Sequence, residues 1–448
     1  MVLSILPPKQ TLNQNTLANA PDALLDEAYR KISRRLLPAL FLCYLIAYID
    51  RTNISFAKLT LIEDIHLSEA QYGLAAGLFF AGYVLFEIPS NMILVRVGAR
   101  RTLVPIMLLW GLAAAGLALA RTPGDLYLGR FVLGAAEAGF FPGVILYLTF
   151  WFPARLRARI TAQFMMATVV AGIIGSPVSA LILQLYQNYH GLHGWQWLFL
   201  LEAIPAFVMA AILPLLLSDK PQAAPWLTNA EKQAIALDLS SVPFTRESRR
   251  RAGFSIFNRE ILLISAVNFT IICGTNVTAL WTPTLLRQAG VTSLLAAGGL
   301  STFVWIGAAL AMQYISVRSD LTMERRWHVA APMLMAALSL SLLTQITAKP
   351  LITTMLLTIA AGGIYAAIAV FWTVPQTYLS SKGSASGIAL TSSIGALGGL
   401  ASPLIIGGIH NGNDGLHTGM LIVAALIFAG ALLLLVTTAR HQAQIRID

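Results

Sequence analysis

The chain of 448 residues is 57% hydrophobic and only 11% charged, and its mean hydropathy is +0.71. Soluble domains carry about 25% charged residues, so this composition excludes a soluble globular protein and indicates an integral membrane protein. The formal net charge of +10 would by itself allow a nucleic-acid partner, and the distribution of the basic residues is needed to interpret it.

Apolar runs of about 20 residues are long enough to cross a bilayer as helices. The sequence predicts twelve such spans, numbered 1 to 12 in chain order, near 36–56, 71–95, 102–121, 125–151, 160–184, 195–217, 260–286, 294–317, 328–347, 351–379, 385–409 and 418–438. A membrane β-barrel would need segments of about 10 residues with alternating polarity, which the sequence does not show. We therefore expect an all-α membrane protein.

The longest polar interruption divides the spans six and six. We expect a cytoplasmic tail (1–33), a first six-helix bundle (34–217), a cytoplasmic linker loop (218–257), a second six-helix bundle (258–438) and a second cytoplasmic tail (439–448). The first tail lacks the apolar core of a signal peptide, so span 1 is predicted to remain in place.

Basic residues are unevenly distributed between the two sides of the predicted spans. The side that carries both termini holds 24 Lys and Arg residues, whereas the opposite side holds Lys58, Arg121, Arg287 and Lys349. Cytoplasmic segments of membrane proteins are enriched in this way. The bias predicts cytoplasmic termini in the cell's inner membrane, and it explains the positive charge without a nucleic acid.

Four charged residues interrupt the apolar spans of the first half, namely Asp50, Arg51, Arg130 and Glu137. A charge in hydrocarbon costs at least about 2.5 to 3.5 kcal/mol, so such residues usually face a wet cavity and carry function. Arg130 and Glu137 share one face of span 4, and Arg51 can face the same cavity. Arginine binds carboxylates in a bidentate geometry, whereas an acid in apolar surroundings can take up a proton. We expect the arginines to bind an anion and the acids to carry protons.

Structural roles are the alternative for each of these residues. Asp50 and Arg51 point about 100° apart on a helix, so one of them could serve only to pair with a neighbouring span. Arg130 is close to the start of span 4 and could extend to the membrane surface. Glu87 and Glu202 also lie within spans, but each is near a predicted helix end, and we expect them to be structural.

A shift of 226 residues aligns three features of the two halves. It brings Ser176-Pro177 onto Ser402-Pro403, Arg100 onto Arg326, and Asp50 onto Asn276. Such a repeat indicates two equivalent bundles related by an axis along the membrane normal, with a substrate site between them. The shift aligns the other three charged residues with Val277, Leu356 and Gly363, so the second half has no equivalent charges.

The second half is therefore expected to shape the part of the site that binds no carboxylate. The candidates are polar and aromatic residues of spans 7, 10 and 11, with tyrosines from spans 1 and 2: Asn276, Trp281, Phe371, Trp372, Gln376, Ser392, Ser393, Tyr44, Tyr48 and Tyr83. Aromatic residues of spans often serve as packing groups or lipid anchors, so we expect about half of these to touch the ligand.

The segment SNMILVRVGARR (90–101) resembles the loop 2/3 motif of the major facilitator superfamily, although Leu94 stands where that motif normally has Asp. The shifted copy in loop 8/9 keeps an acid, Asp320. Acids and arginines at these helix ends, including Arg96, Arg100 and Arg326, are expected to form pairs that latch one conformation. The alternative is that the arginines only orient the protein in the membrane.

More specific motifs are YIDRTNISFA (48–57), FEIPSN (86–91), LGRFVLGAAEAGFFPG (128–143), WFPARLRAR (151–159), GWQWLFLLEAIPA (194–206) and ERRWH (324–328). Together they resemble the anion:cation symporter family, which includes tartrate, galactonate, hydroxyphenylacetate, phthalate and nicotinate permeases. The resemblance covers about 34–438. It implies the major facilitator fold, proton-driven import of a small organic anion, and site roles for Asp50, Arg51, Arg130, Glu137 and Gln163. Several relatives carry span 11 asparagines where this chain has Ser392 and Ala396, so the substrate is not transferred directly.

The sequence contains no phosphate-binding loop, nucleophile motif or metal-ligand cluster. We expect neither enzyme activity nor a cofactor, and a monomer in the lipid bilayer whose partners are a small organic anion and protons. A proton-driven drug or metabolite exporter is one alternative, weakly suggested by Gly172, Gly175 and Pro177 in span 5. A phosphate antiporter would need an arginine in the core of span 7, and a membrane sensor would need a signalling domain.

Overall fold

The fold is described from a computed structural model, for residues 22–240, 259–346, 348–373, 384–409 and 413–445. These residues form helices without a β-strand. Twelve stretches are long and apolar enough to cross a membrane: Leu24–Asp64, Glu69–Leu94, Ala99–Leu119, Pro123–Trp151, Arg155–Leu185, Gly194–Leu216, Arg259–Gln288, Leu294–Thr322, Arg326–Leu343, Pro350–Phe371, Leu390–Gly408 and Gly415–Thr437. The predicted all-α, twelve-span architecture is confirmed.

Two spans of the first half are divided beside their charged residues. Span 1 consists of the helices Asp22–Thr52 and Ile54–Asp64, and span 4 of the helices Pro123–Glu137 and Phe140–Trp151. The first helix ends one residue after Arg51, and the first helix of span 4 ends at Glu137 itself. Irregular backbone inside a membrane protein occurs where it is buried in protein or lines a cavity. The divisions therefore place the charged side chains at interruptions of the helical backbone.

The two halves approach each other at the end of the bundle that carries loops 1/2 and 7/8, which we call the closed end. Gly73 of span 2 lies against Pro403 of span 11, and Gly298 of span 8 lies against Ser176 of span 5. A Cβ atom on either glycine would overlap neighbouring atoms, so only glycine permits this distance. Both contacts use a Ser-Pro pair that recurs after the 226-residue shift.

Polar side chains add to the packing at the closed end. The hydroxyl of Tyr72 donates to the carbonyl of Leu280 in the other half at 3.4 Å. The amine of Lys58 pairs with Glu69 at 2.7 Å and lies 4.5 Å from the centre of the Tyr72 ring. The sequence interpretation placed Lys58 in an outer loop, which is wrong: the helix Ile54–Asp64 continues past the predicted end of span 1 and buries it.

Part of the predicted linker loop is a helix, Asn229–Ser240, that packs against the first bundle. Its Asp238 accepts hydrogen bonds from Tyr29 at 2.7 Å and from Arg155 at 2.7 Å. Partial burial opposes ionisation of Asp238, but these two hydrogen bonds and the charge of Arg155 hold the pKa of its carboxyl below the usual value. The described part of the linker is therefore anchored to spans 1 and 5.

Leucine at Gly298 should disrupt the closed end, because its side chain would overlap Ala180 and Ser176. Overpacking of this kind typically costs about 1 to 3 kcal/mol. The thermal unfolding midpoint of the purified G298L variant should lie below that of the wild type. Gly299 supplies the matched control, because a Cβ atom there meets nothing within 4 Å and G299L should unfold like the wild type. Equal midpoints for both variants would contradict the described packing.

Candidate functional site

An ion pair lies in the interior of the first bundle. The Nη2 atom of Arg51 donates to Oε1 of Glu137, whose side chain is 2% exposed. The Oε2 atom of Glu137 and the Nε atom of Arg51 have no hydrogen-bond partner among the described residues. The structure thus brings two of the predicted charged residues into direct contact, and each keeps unused hydrogen-bonding capacity.

Arg130 is fully buried beside this pair. Its guanidinium carbon lies 4.8 Å from the centre of the Phe79 ring, and its one hydrogen bond is a long contact of 3.5 Å from Nη2 to the carbonyl of Arg51. Its Nε and Nη1 atoms have no partner in the described part of the chain. A buried ion without a partner costs several kcal/mol. The position of Arg130 therefore favours the binding of an anion.

The close approach of spans 2 and 4 places Phe79 under the guanidinium. A Cβ atom on Gly134 would overlap the backbone oxygen of Phe79, so glycine is required there. The rings of Tyr48, Phe79 and Tyr83 also surround Arg51, with their centres 5.8, 5.1 and 5.2 Å from its guanidinium carbon. Aromatic faces stabilise cations at such distances. Two predicted ligand residues, Tyr48 and Tyr83, therefore border the charged pair.

The other two buried acids of this region have neutral partners. Asp50 accepts a hydrogen bond from Nε1 of Trp110 at 3.0 Å, and its Oδ1 atom has no partner within the described ranges. It faces away from Arg51, in agreement with their angular separation on the helix. Glu202, expected near a helix end, is buried within span 6 and accepts a hydrogen bond from Ser179 at 2.7 Å.

A hydrogen bond between two tyrosine hydroxyls joins the halves near the charged pair. The hydroxyls of Tyr48 and Tyr365 are 2.5 Å apart, and Trp305 lies edge-on to the Tyr365 ring at 5.3 Å. Sequence reasoning missed Tyr365. The available signal is its position in span 10, two residues after Gly363, which the repeat aligned with Glu137.

Gln163 and Tyr44 lie farther toward the end of the bundle opposite the closed end. Gln163 lines a cavity of about 190 Å³ together with Leu37, Pro38, Phe41 and Phe164. Tyr44 stacks on Phe164 with ring centres 4.6 Å apart. This cavity lies between spans 1 and 5, and direct contact of Gln163 with substrate stays a prediction.

The second-half candidates are dispersed. Asn276 donates to the carbonyl of Ile272 in its own helix at 2.9 Å, and Trp281 lies at the closed end, edge-on to Tyr72 at 5.7 Å. The last four described candidates are the ring pair Phe371 and Trp372, 5.5 Å apart, and the half-buried Ser392 and Ser393, whereas Gln376 lies outside the described residues. Their contact with ligand stays a prediction.

Loop 2/3, which lacks the motif's acid because Leu94 stands in its place, is contacted by the carboxylate of Asp219. The backbone N–H of Arg100 donates to Asp219, at the end of span 6, at 3.0 Å. Asp219 thus accepts from an otherwise unpaired N–H group at the start of the span 3 helix, near the buried Leu94. Arg96 is exposed.

Loop 8/9 contains an ion pair of its own. Asp320 accepts from Arg325 at 2.5 Å, and Arg326 donates to the carbonyl of Leu435 in span 12 at 2.7 Å. Span 12 is therefore tied to the start of span 9 at this end of the second bundle. Whether these contacts latch one conformation stays a prediction.

Residues 40–403 match the family described as Major Facilitator Superfamily. The chain belongs to this superfamily. The described second half contains no buried charged residue, so among the described spans of this major facilitator protein the buried charges belong to the first bundle. Because the family and the similar proteins are transporters, the protein is a transporter and not an enzyme, as expected.

The proteins with similar sequences include three transporters. A provisionally named metabolite transport protein, NicT of Pseudomonas putida, is 39% identical over 91% of this chain and 92% of its own length. A provisionally named tartrate transporter of Agrobacterium vitis is 38% identical over 91% and 90%. A quinolone resistance transporter of Acinetobacter baumannii is 33% identical over 93% and 96%.

A solved structure shares the fold. The inward-facing, occupied structure of a bacterial homologue of the human lysosomal transporter Spinster gives a TM-score of 0.72 at 18% identity, covering 92% of this chain and 97% of that chain. At this identity the similarity extends to the fold alone. It agrees with the twelve-span arrangement described above.

Replacing Arg130 with methionine should separate stability from ligand binding. Methionine removes the unpaired buried charge, so the purified R130M variant without ligand should unfold at the wild-type temperature or above it. It should also lose the thermal stabilisation that a carboxylate ligand gives the wild type, because the free guanidinium is gone. The control is R121M, since Arg121 is exposed, and it should respond to ligand like the wild type. Undiminished stabilisation of R130M by ligand would contradict the assignment.

Proposed function

We propose that the protein is a proton-coupled secondary transporter that imports a small organic carboxylate by alternating access. The observation that carries the proposal is the buried guanidinium of Arg130, which forms no ion pair with the described residues although it lies next to the Arg51–Glu137 pair. A carboxylate can accept from both guanidinium groups through two oxygens. The resemblance to tartrate and related permeases supports a hydroxy-diacid, a sugar acid or an aromatic acid as substrate.

Glu137 is the proposed switch between proton and substrate. When Glu137 is ionised, it occupies Arg51, and the site holds one unpaired guanidinium. Protonation of Glu137 breaks this ion pair, because a neutral carboxyl no longer balances the arginine. Arg51 and Arg130 can then bind the substrate carboxylate together, and proton and anion enter as a neutral set. After release of both, Arg51 pairs with Glu137 again for the return step.

Asp50 is the second proposed proton carrier. Its Oδ1 atom is buried without a partner, and Trp110 supplies a hydrogen bond to the other oxygen but no positive charge. A buried carboxylate without a cation is costly, so its charged form needs access to water. Asp50 therefore loses its proton most readily when the bundle opens on the side to which it releases.

The positive-inside distribution supports cytoplasmic termini. The end of the bundle opposite the closed end would then face the cytoplasm. The described conformation is then closed toward the outside, and the paired Arg51 and Glu137 correspond to a substrate-free state. The two Ser-Pro contacts at the closed end would have to separate before substrate could be bound from outside. Rocking of the two bundles about the central site provides that separation.

Glutamine at position 137 should abolish accumulation driven by a proton gradient and leave counterflow exchange intact. The amide resembles the protonated acid in shape, so Arg51 stays free for substrate, but it cannot bind or release a proton. Uptake and exchange are measured in proteoliposomes that contain the purified variant. The control is E87Q, because Glu87 is a half-buried acid on span 2 outside the site and its variant should accumulate substrate normally. Driven accumulation by E137Q would refute the coupling assignment.

The substrate itself can be found with a thermal-shift screen of hydroxy-diacids, sugar acids and aromatic acids, followed by uptake assays on the compounds that stabilise the protein. A drug exporter is the competing function, and the quinolone resistance relative favours its inclusion. Stabilisation by quinolones together with proton-driven efflux would establish that alternative. Binding of a ligand without any exchange would instead indicate a membrane sensor.

A further inference from the structure

Glu202 is a buried acid that the proposed cycle does not use. Its side chain is among the buried charged groups of the first bundle, 6% exposed, and lies on span 6. Ser179 of span 5 donates to its Oε1 atom at 2.7 Å, whereas Oε2 has no partner among the described residues. One neutral hydrogen bond does not balance a buried negative charge.

Among the described residues, no Lys or Arg forms an ion pair with Glu202, and an imidazole, that of His193, lies 3.1 Å from Asp64 at the edge of this region. Span 1 contributes Asp50 and Asn53, which lie on the same face of the helical path because they are three positions apart. The amide of Asn53 lies within reach of a hydrogen bond to Glu202, and neither its nitrogen nor its oxygen makes a hydrogen bond of ordinary geometry to the described residues. Span 3 contributes the indole of Trp110, which binds Asp50. The second helix of span 1 contributes Asp64, which accepts from Trp195 at the far end of span 6.

A small cavity at the interface of the halves is bordered by two neighbours of Glu202, Asn53 and Ser179. It has a volume of about 20 Å³, enough for about one water molecule. Asn53 and Ser179 line it from the first half, and Thr282 and Ser301 line it from the second half. The hydroxyl of Ser301 also lacks a hydrogen-bond partner in the described structure. The cavity is therefore polar, suited to water, and bordered by the surfaces that must part when the closed end opens.

We propose that Glu202, with Asn53 and Ser179, forms a proton-binding site that takes up protons from the closed end and supplies them to Asp50. The inference rests on the proposed proton coupling. It rests structurally on three observations: the Glu202 oxygen without a partner among the described residues, the amide of Asn53 beside Glu202, and the water-sized cavity at the interface that Asn53 and Ser179 line. Glu202 is a positioning residue for protons, since it acts through Asp50 and does not touch substrate.

The transfer balances in two steps. A hydronium ion at the opened end gives its proton to Oε2 of Glu202, which forms an O–H bond and leaves water behind. The proton then passes through a water molecule to Oδ1 of Asp50, which forms an O–H bond while the Glu202 O–H bond breaks. Glu202 is left as a carboxylate that can accept the next proton from outside.

The first test is the dependence of uptake on external pH in proteoliposomes with inserted E202Q. Glutamine keeps the shape of the protonated acid and can retain the hydrogen bond from Ser179. Without the relay, Asp50 must be protonated directly, which is slowest where protons are scarce. Half-maximal driven uptake should therefore shift to lower external pH, with counterflow exchange unchanged. A purely structural role would lower uptake by the same factor at every pH, and that result, or a curve identical to the wild type, overturns the inference.

The second test detects the proton itself by infrared difference spectroscopy of the purified protein. The spectrum of the wild type minus that of E202Q should show the C=O stretching band of a protonated carboxyl group. The S179A variant should keep that band and shift it to higher frequency, because the hydrogen bond to the carboxyl is lost. If E202Q does not fold, the difference between the wild-type and S179A spectra still reports the shift of the carboxyl band. Absence of the band from the first difference, or an unshifted band in S179A, overturns the inference.

These tests separate this inference from the proposed function. If the wild type shows no proton-driven uptake, the proposed function fails, and the infrared band then decides whether Glu202 binds a proton. If the wild type is proton-driven but E202Q matches it at every pH, the proposed function stands and the role of Glu202 is refuted. The matched variant E87Q should follow the wild-type pH curve, and dependence of uptake on sodium instead of pH would refute a proton site.

Discussion

A guanidinium in the membrane interior that forms no ion pair with the described residues is the constraint on which the rest of the site depends. Arg51 and Glu137 nearly neutralise each other, so the uncompensated charge is that of Arg130. The Phe79 ring offers a partial, weaker substitute for an anion, and Gly134 makes that arrangement possible by letting spans 2 and 4 approach. The unpaired charge is thus a stable part of the architecture, and it defines what the site lacks.

The same constraint links charge to conformation. A site with net positive charge is disfavoured in a bundle sealed at both ends, because sealing removes the water that screens it. A dicarboxylate that arrives with one proton on Glu137 leaves the sealed site neutral, whereas a monocarboxylate with one proton keeps its net charge unchanged but gives Arg130 an anionic partner. At Gly73 and Gly298 the backbones of the two halves are in direct contact, which requires complementary surfaces. Such tightly packed surfaces are either fully in contact or fully separated. Binding of an anion at Arg130 and closure of the ends of the bundle therefore belong to one conformational equilibrium.

The sequence was sufficient for the number of spans and for the expectation that Arg51 faces the same region as Glu137, because charges in hydrocarbon are rare and helical spacing gives their direction. It was insufficient for Tyr365 and Trp110. Their roles depend on which span lies opposite, and periodicity within one span contains no information on its neighbours. Lys58 was misplaced for a related reason: composition cannot show that a helix continues beyond its apolar stretch when a partner ring and an acid cover the charge.

The asymmetry between the halves has a consequence for coupling. Charge resides in the first bundle, yet the Tyr48 hydroxyl binds Tyr365 of the second bundle while the Tyr48 ring faces Arg51. A ligand bound at Arg51 must share space with this ring, and any ligand hydroxyl near it competes for a hydrogen bond that spans both halves. Such competition changes the free energy of the interface without a charge in the second bundle. An uncharged half can therefore still respond to an anion, because one tyrosine belongs to both the binding site and the interface.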